Sequence, residues 1–136
     1  MKTAVDSSVL LDVLGADQAF GEASREALRA AYGAGALVAC DVVWAEVRAH
    51  FNDDQSFEDT MSLLGVRFAP ISRDGARLAG SLWRRNRARE KAPRSRVVAD
   101  FLIGAHALLD ADVLLTRDRG FYRASFVRLR INDPSR

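Results

Sequence analysis

Ala36-Leu37-Val38-Ala39-Cys40-Asp41 is an unbroken apolar run closed by an acid. So short a run, with no polar alternation, reads as a strand buried on both faces, as in a parallel sheet covered by helices. Asp41 is placed to cap the next helix, whose apolar face carries Val43, Trp44, Val47 and Phe51. The same strand–acid–helix order appears upstream. Residues 2–6 form a short strand ending at Asp6, and Ser7 or Ser8 caps a helix carrying Val9, Leu10, Val13 and Leu14, which Gly15 ends. A helix over residues 18–32, with Ala23, Ala27, Leu28 and Ala31 on one face, leads back to the quoted run, and Gly33 and Gly35 stop it.

Downstream, Asn52 and Asp53 break the pattern before a helix carrying Phe57, Met61 and Leu64. A third strand spans residues 66–71, interrupted late by Pro70, and Ser72 opens a long helix through Ala76, Ala79, Leu82 and Trp83 that ends near Pro93. Residues 97–109 form a strongly apolar helix with Asp100 in its first turns. A fourth strand follows over 111–116, then a turn or short helix over 117–123. In residues 126–131, Arg128 and Arg130 alternate with apolar side chains, which suits a half-exposed edge strand. The residues after Ile131 are expected to fray. Strands alternating with helices give an α/β class: a three-layer α/β/α domain with a central, mostly parallel sheet of about four to five strands. The 136 residues suit a single domain over 1–136.

At 49% hydrophobic residues the chain can bury a core, which excludes a disordered class. Cys40 is the single cysteine, so an internal disulfide is excluded, and no signal-peptide pattern is visible. Both features point to the reducing cytoplasm. Cys40 also lacks the His and Cys neighbours of a zinc site and reads as a small buried residue. No apolar run approaches the roughly 20 residues of a bilayer span, so no membrane partner is expected. Net charge is +2, but it is unevenly spread. Residues 84–96 hold Arg84, Arg85, Arg87, Arg89, Lys91, Arg94 and Arg96 against Glu90 alone, leaving the rest of the chain acidic. Such a segment suits a polyanion such as RNA, and it equally suits a solvated helix face and loop. Charge by itself does not choose between them.

Ligands of an open parallel sheet bind beyond the carboxyl ends of its strands. Asp6 closes the first strand, Glu46 lies about a turn and a half into the helix after the second, and Asp118 falls just past the fourth. Asp100, at the start of the helix leading back to that fourth strand, could project over the same rim. Taken singly, Asp6 and Asp118 read as caps or surface residues. Asp100 is harder to dismiss among Val97, Val98, Ala99, Phe101, Leu102 and Ile103, although a helix start favours an anion. Glu46 interrupts an apolar helix. If the four converge, their repulsion calls for a hard divalent cation, Mg²⁺ or Mn²⁺, able to polarise a phosphate and activate water for hydrolysis. No Ser, Cys or His constellation competes. Asp12 reads as a surface acid, and Asp110 and Asp112 as turn chemistry. His50 shares a helical face with Glu46, as a partner of the site, an RNA contact or a plain surface residue; His106 reads as structural. The stripe of Phe57, Met61 and Leu64 reads as core, although a docking groove would use the same residues.

Four blocks stand in order: Val5-Asp6-Ser7-Ser8-Val9-Leu10; Trp44-Ala45-Glu46-Val47; Ala99-Asp100-Phe101-Leu102-Ile103-Gly104-Ala105; and Leu114-Leu115-Thr116-Arg117-Asp118-Arg119-Gly120-Phe121. Each is weak alone. The ordered set resembles the PIN-domain family over nearly the whole chain, and looks most like the VapC toxins of toxin–antitoxin pairs. The resemblance implies an endoribonuclease that hydrolyses structured RNA with Mg²⁺ or Mn²⁺, its metal held by Asp6, Glu46, Asp100 and Asp118. It gives Ser8 and Thr116 the task of orienting ligands or water, with Ser8 standing where the family uses Asn or Ser. It also implies a homodimer and a cognate antitoxin whose tail fills the groove. Arg84, Arg85, Arg87, Arg89, Lys91, Arg94 and Arg96 would hold the RNA backbone. The alternatives are a non-catalytic RNA- or protein-binding module on the same scaffold, or a stand-alone nuclease without an antitoxin. A phospho-acceptor receiver domain would need an Asp ending the third strand and a Lys ending a later one, and residues 66–71 hold no Asp.

Overall fold

Every strand runs parallel to its neighbours. β1 (Lys2–Val5), β2 (Ala36–Ala39), β3 (Val66–Phe68), β4 (Val113–Leu115) and β5 (Ile131–Asn132) form one sheet in the order β3-β2-β1-β4-β5. The computed structural model describes residues 1–89 and 97–136. Its helices are α1 (Ser7–Leu14), α2 (Gly21–Ala34), α3 (Asp41–Arg48), α4 (Asp54–Leu64), α5 (Arg73–Arg89), α6 (Val98–Asp110) and α7 (Arg119–Ser125). β1 lies at the centre, where Ala4 pairs with Val38 on one side and Leu114 on the other. Its neighbours are apolar on both faces because helices cover both: α1 packs on α2 and α5 on α6. Leu37, Ala39, Leu114 and Leu115 are accordingly buried. This is the three-layer α/β/α architecture that the sequence pattern leads one to expect. Cys40 is buried at the end of β2, and burial pushes its thiol up to about 11, so it packs as a neutral residue. Phe57 and Met61 are core residues, with Trp44 edge-on to Phe57 at 5.2 Å. Among the described residues no helix is long and apolar enough to cross a membrane.

Several helix starts differ from the sequence reading. The cap position of α1 is Asp6, in an extended conformation, while Ser7 and Ser8 lie inside the helix. Asp41 is the first residue of α3 rather than its cap; its carboxylate instead accepts the Ile71 N–H at 3.3 Å and ties α3 to the segment after β3. α2 starts at Gly21 because Asp17 accepts the N–H groups of Ala19 and Phe20, both at 2.9 Å, and builds a turn first. Cap chemistry does operate at α4, where Asp53 accepts from Ser56 N at 2.7 Å, and at α5, where Ser72 Oγ accepts from Gly75 N at 3.0 Å. Gly65 closes α4 in the left-handed region at φ 74°, which a side chain would resist. β3 ends at Phe68, two residues before Pro70, which lacks an N–H for the ladder. The expected end of α5 near Pro93 lies outside the described residues.

The last strand is the largest correction. Phe126 N donates to Tyr122 O at 2.8 Å and Leu129 N to Phe126 O at 3.0 Å, so this segment turns, and only Ile131–Asn132 pairs with β4. The alternation of Arg128 and Arg130 is incidental: the buried positions are Tyr122, Phe126 and Leu129, a helical spacing. Nor does the tail fray. Asp133 is buried, and its carboxylate accepts the Ser135 N–H at 2.9 Å.

Phe126 lies against Gly104 of α6, where a β-carbon would overlap its ring. Gly104→Ala is therefore expected to destabilise the chain by about 1–3 kcal/mol, as overpacking does. Chemical denaturation reads this directly, and an unchanged midpoint would show that the ring yields freely.

Candidate active site

From β1 the chain moves to β2 and β3 on one side and then to β4 on the other. That reversal is a topological switch point, and sheets of this kind bind ligands beyond the carboxyl ends of the strands there, here β1 and β4. Asp6 stands at the end of β1 and Asp118 begins the turn into α7 after β4. Glu46 lies in α3, which leaves β2 at the same rim. Asp100 lies in the first turn of α6, whose far end leads into β4, so its start also faces this rim.

Asp6 is 7% exposed and held by hydroxyls. Thr116 Oγ1 donates to its Oδ2 at 2.7 Å and Ser8 Oγ to the same oxygen at 3.2 Å. Thr116 Oγ1 also accepts the Asp118 N–H at 3.0 Å, so one hydroxyl joins Asp6 to the backbone of Asp118. Ser7 Oγ lies 2.9 Å from Glu46 Oε1 and 3.4 Å from Asp6 Oδ1. It has one proton to give, so it bonds chiefly to Glu46 while spanning both acids. Ser7 was read from the sequence only as a possible cap; what marks it is its place beside Asp6.

Burial above all raises the proton affinity of Asp6; the hydroxyls of Thr116 and Ser8 oppose this, and the charge of Asp118 adds to it. Glu46 is also raised, by withdrawal from solvent first, against the Ser7 bond, and then by the charges of Asp6 and Asp100. Asp118 thus acts on Asp6, and Asp6 and Asp100 act on Glu46, which links the four along the rim. Among the described residues, however, no group of three or more His, Cys, Asp or Glu side chains is already gathered to hold a metal. The donor chemistry fits a hard divalent cation: the oxygens are carboxylate, hydroxyl groups already orient Asp6, and repulsion among the acids favours a shared positive charge. Glu46 is exposed, and its carboxylate accepts from Ser7 at the edge of the rim.

Both shifts are upward, which fixes the sign of a pH effect. A raised carboxyl contributes stability below its unfolded value, and loses it as pH rises through the folded value. In metal-free protein Asp6 is thus a cost at neutral pH, relieved as pH falls toward the ordinary carboxyl value of 3.8. Asp6→Asn is expected to melt higher than wild type at pH 7, with the gap narrowing as pH falls. Melting curves at several pH values without metal check this; a gap that widens toward acid would contradict it.

Arg84, Arg85 and Arg87 are exposed on α5, with Arg87 over the Trp83 ring at 5.0 Å. Lys91, Arg94 and Arg96 lie outside the described residues, as does the side chain of Arg89. His50 falls beyond the end of α3 and shares a groove with Leu11, Leu14, Phe51 and Thr60. His106 is buried in α6, and Asp112 accepts the Lys2 N–H at 2.7 Å in a turn-like role.

Asp12 overturns its surface reading. It is 4% exposed and paired with Arg117, whose Nε and Nη2 lie 2.6 and 2.9 Å from its two oxygens, while Ser24 Oγ donates to it at 2.8 Å. A signal was present: Asp12 follows buried Val9 by three residues, on the same side of α1.

The family description "PIN domain" matches residues 3–127. The chain belongs to the PIN-domain family. No curated protein matches the sequence. Among solved structures, the PIN chain is similar to one of VapBC2 from Rickettsia felis bound to a promoter DNA fragment, with TM-score 0.73, 14% identity and 98% of each chain covered. It is similar to VapBC-1 from nontypeable Haemophilus influenzae, with TM-score 0.72, 18% identity and 100% of both chains covered. A third similar structure is VapC20 from Mycobacterium tuberculosis, described as a Sarcin-Ricin loop cleaving toxin, with TM-score 0.58, 16% identity and coverage of 94% of this chain and 98% of that one. At these identities the likeness is one of PIN fold.

Proposed function

We propose that this PIN domain is a Mg²⁺- or Mn²⁺-dependent endoribonuclease of the VapC type, the toxin of a toxin–antitoxin pair acting in the cytoplasm. The observation that carries the reading is the rim at the switch point, where hydroxyls tie the acids together: Thr116 joins Asp6 to the Asp118 amide and Ser7 spans Asp6 and Glu46, with Asp100 in the first turn of α6 at the same rim. These acids would hold a divalent cation, which would supply Lewis acidity toward the scissile phosphate and a hydroxide nucleophile near neutral pH. The chain's own residues do the rest. Asp6, fixed by Thr116 and Ser8, offers a carboxylate in a set orientation. Glu46, steadied by Ser7, would close from the exposed side, with Asp100 and Asp118 completing the acid set. Arg84, Arg85 and Arg87 would hold RNA phosphates on α5, so binding should weaken steeply with salt.

The similar structures support a protein partner, since they include VapBC complexes and a toxin–antitoxin complex from Klebsiella pneumoniae. An RNA substrate is supported by the cleaving toxin among them. A cognate antitoxin and a homodimer are accordingly the expected assemblies. Incubating total RNA with the purified chain tests the activity: cleavage with Mg²⁺ or Mn²⁺ and none with EDTA is expected. RNA binding without turnover at any divalent ion would turn the reading to a binding module on a PIN scaffold. A short adjacent reading frame encoding a DNA-binding head and helical tail is expected for the toxin role; an isolated gene would favour a stand-alone nuclease.

A further inference from the structure

Three consecutive residues between β4 and α7 face different neighbours. Thr116 joins Asp6 to the Asp118 amide through one hydroxyl. Arg117, between them, reaches back to α1 and places its guanidinium on Asp12, two nitrogens against two oxygens at 2.6 and 2.9 Å. The Asp12 side chain is 5% exposed, that of Arg117 29%. Ser24 of α2 adds a bond to Asp12 at 2.8 Å, and the Phe20 ring lies 4.2 Å from the guanidinium carbon. A planar fork held in this way fixes orientation as well as distance, which a lysine at the same place would not do. The guanidinium is neutralised by Asp12 and covered by Phe20, so its charge is committed inward.

Asp12 follows Asp6 by six residues, about 9 Å along the helix axis. α1 is thus a single rigid piece bearing both, and the loop after β4 grips it at two points, Thr116 on Asp6 and Arg117 on Asp12. Asp118 comes next, with its backbone at φ −95° and ψ 51°, neither helical nor extended. Its own amide donates to Thr116 Oγ1 at 3.0 Å, so its backbone is held from the same loop. We infer that Arg117 and Asp12 are positioning residues of the acid site: their two-point ion pair locks the loop to α1 and sets Asp118 against Asp6 so that both can share one divalent cation. The inference rests on the metal-dependent reading above.

Its test uses the full chain with Arg117→Gln, Arg117→Lys and Asp12→Asn. Mn²⁺ affinity is read by calorimetry, kcat and KM on RNA by kinetics, and folding by melting temperature. Each variant is expected to bind Mn²⁺ about 10–100-fold more weakly, as when a group that orients a ligand is lost. kcat should fall with it while KM stays within about twofold, because the pair does not face the substrate. Arg117→Lys should recover charge but not affinity. Lower melting temperatures with wild-type Mn²⁺ affinity in the folded protein would reduce the pair to a structural tie and overturn the inference. A raised KM in Arg117→Gln but not in Asp12→Asn would also overturn it, by making Arg117 a substrate contact. If the wild-type chain binds no Mn²⁺, the metal reading itself falls and takes this inference with it. Binding by wild type with unchanged variants would sink the inference alone.

Discussion

Asp6→Asn is expected to lower RNA cleavage by about 10³-fold, equivalent to roughly 4 kcal/mol of transition-state stabilisation. The substitution keeps the shape of the side chain, and its amide oxygen can still accept from Thr116 and Ser8, so the local scaffold should survive. What disappears is the most buried carboxylate of the rim, whose charge acts on Glu46. Mn²⁺ binding should be lost with the activity. Metal-free stability should move the other way, with melting a few degrees higher, as about 1 kcal/mol gives in a domain of this size. The combination is diagnostic, since a substitution that merely damages the fold lowers both. Calorimetric titration, melting curves and a cleavage assay on one preparation settle it, and undiminished cleavage would remove Asp6 from the mechanism.

Phe101→Ala is expected to cost about 3–5 kcal/mol, a large fraction of the stability of a domain this small. Phe101 is 1% exposed and follows Asp100 directly in α6. Its ring meets Phe121 edge-on at 5.1 Å and tilts toward Phe126 at 6.4 Å, so it cements α6 to α7 and the turn after it. Those two helices carry Asp100 and lead away from Asp118, so a cavity between them should loosen the acid rim as well as the core. Phe101→Leu leaves a smaller void and should retain more than half of the lost stability. Urea unfolding of the two variants checks the order. Equal losses would mean that the ring contacts, rather than filled volume, carry the effect.

The places where reading and structure part share a cause. Residues 126–131 alternate as an edge strand would, yet Phe126 turns inward, where Gly104 leaves room for its ring against α6, and Leu129 is buried as well. Asp41 and Ser7 looked like caps because local spacing is all that a cap requires. Each instead bonds to a segment distant in the chain, Asp41 to Ile71 N and Ser7 to Glu46. Asp12 looked like a surface acid because its partner, Arg117, lies 105 residues away. The expected fraying of the tail missed the burial of Asp133.

Local chemistry, then, was enough to determine the elements and their class. Apolar runs such as Leu37, Val38 and Ala39 can be buried on both faces only in a helix-covered parallel sheet, and acids at the strand ends mark one rim. Strand order was beyond it. Only the tertiary structure put β4 beside β1, so that Thr116 bonds Asp6 across 110 residues of chain and Arg117 reaches Asp12. Hydropathy is a property of neighbours along the chain, whereas which carboxylate a hydroxyl or guanidinium meets depends on how strands far apart in sequence are laid side by side.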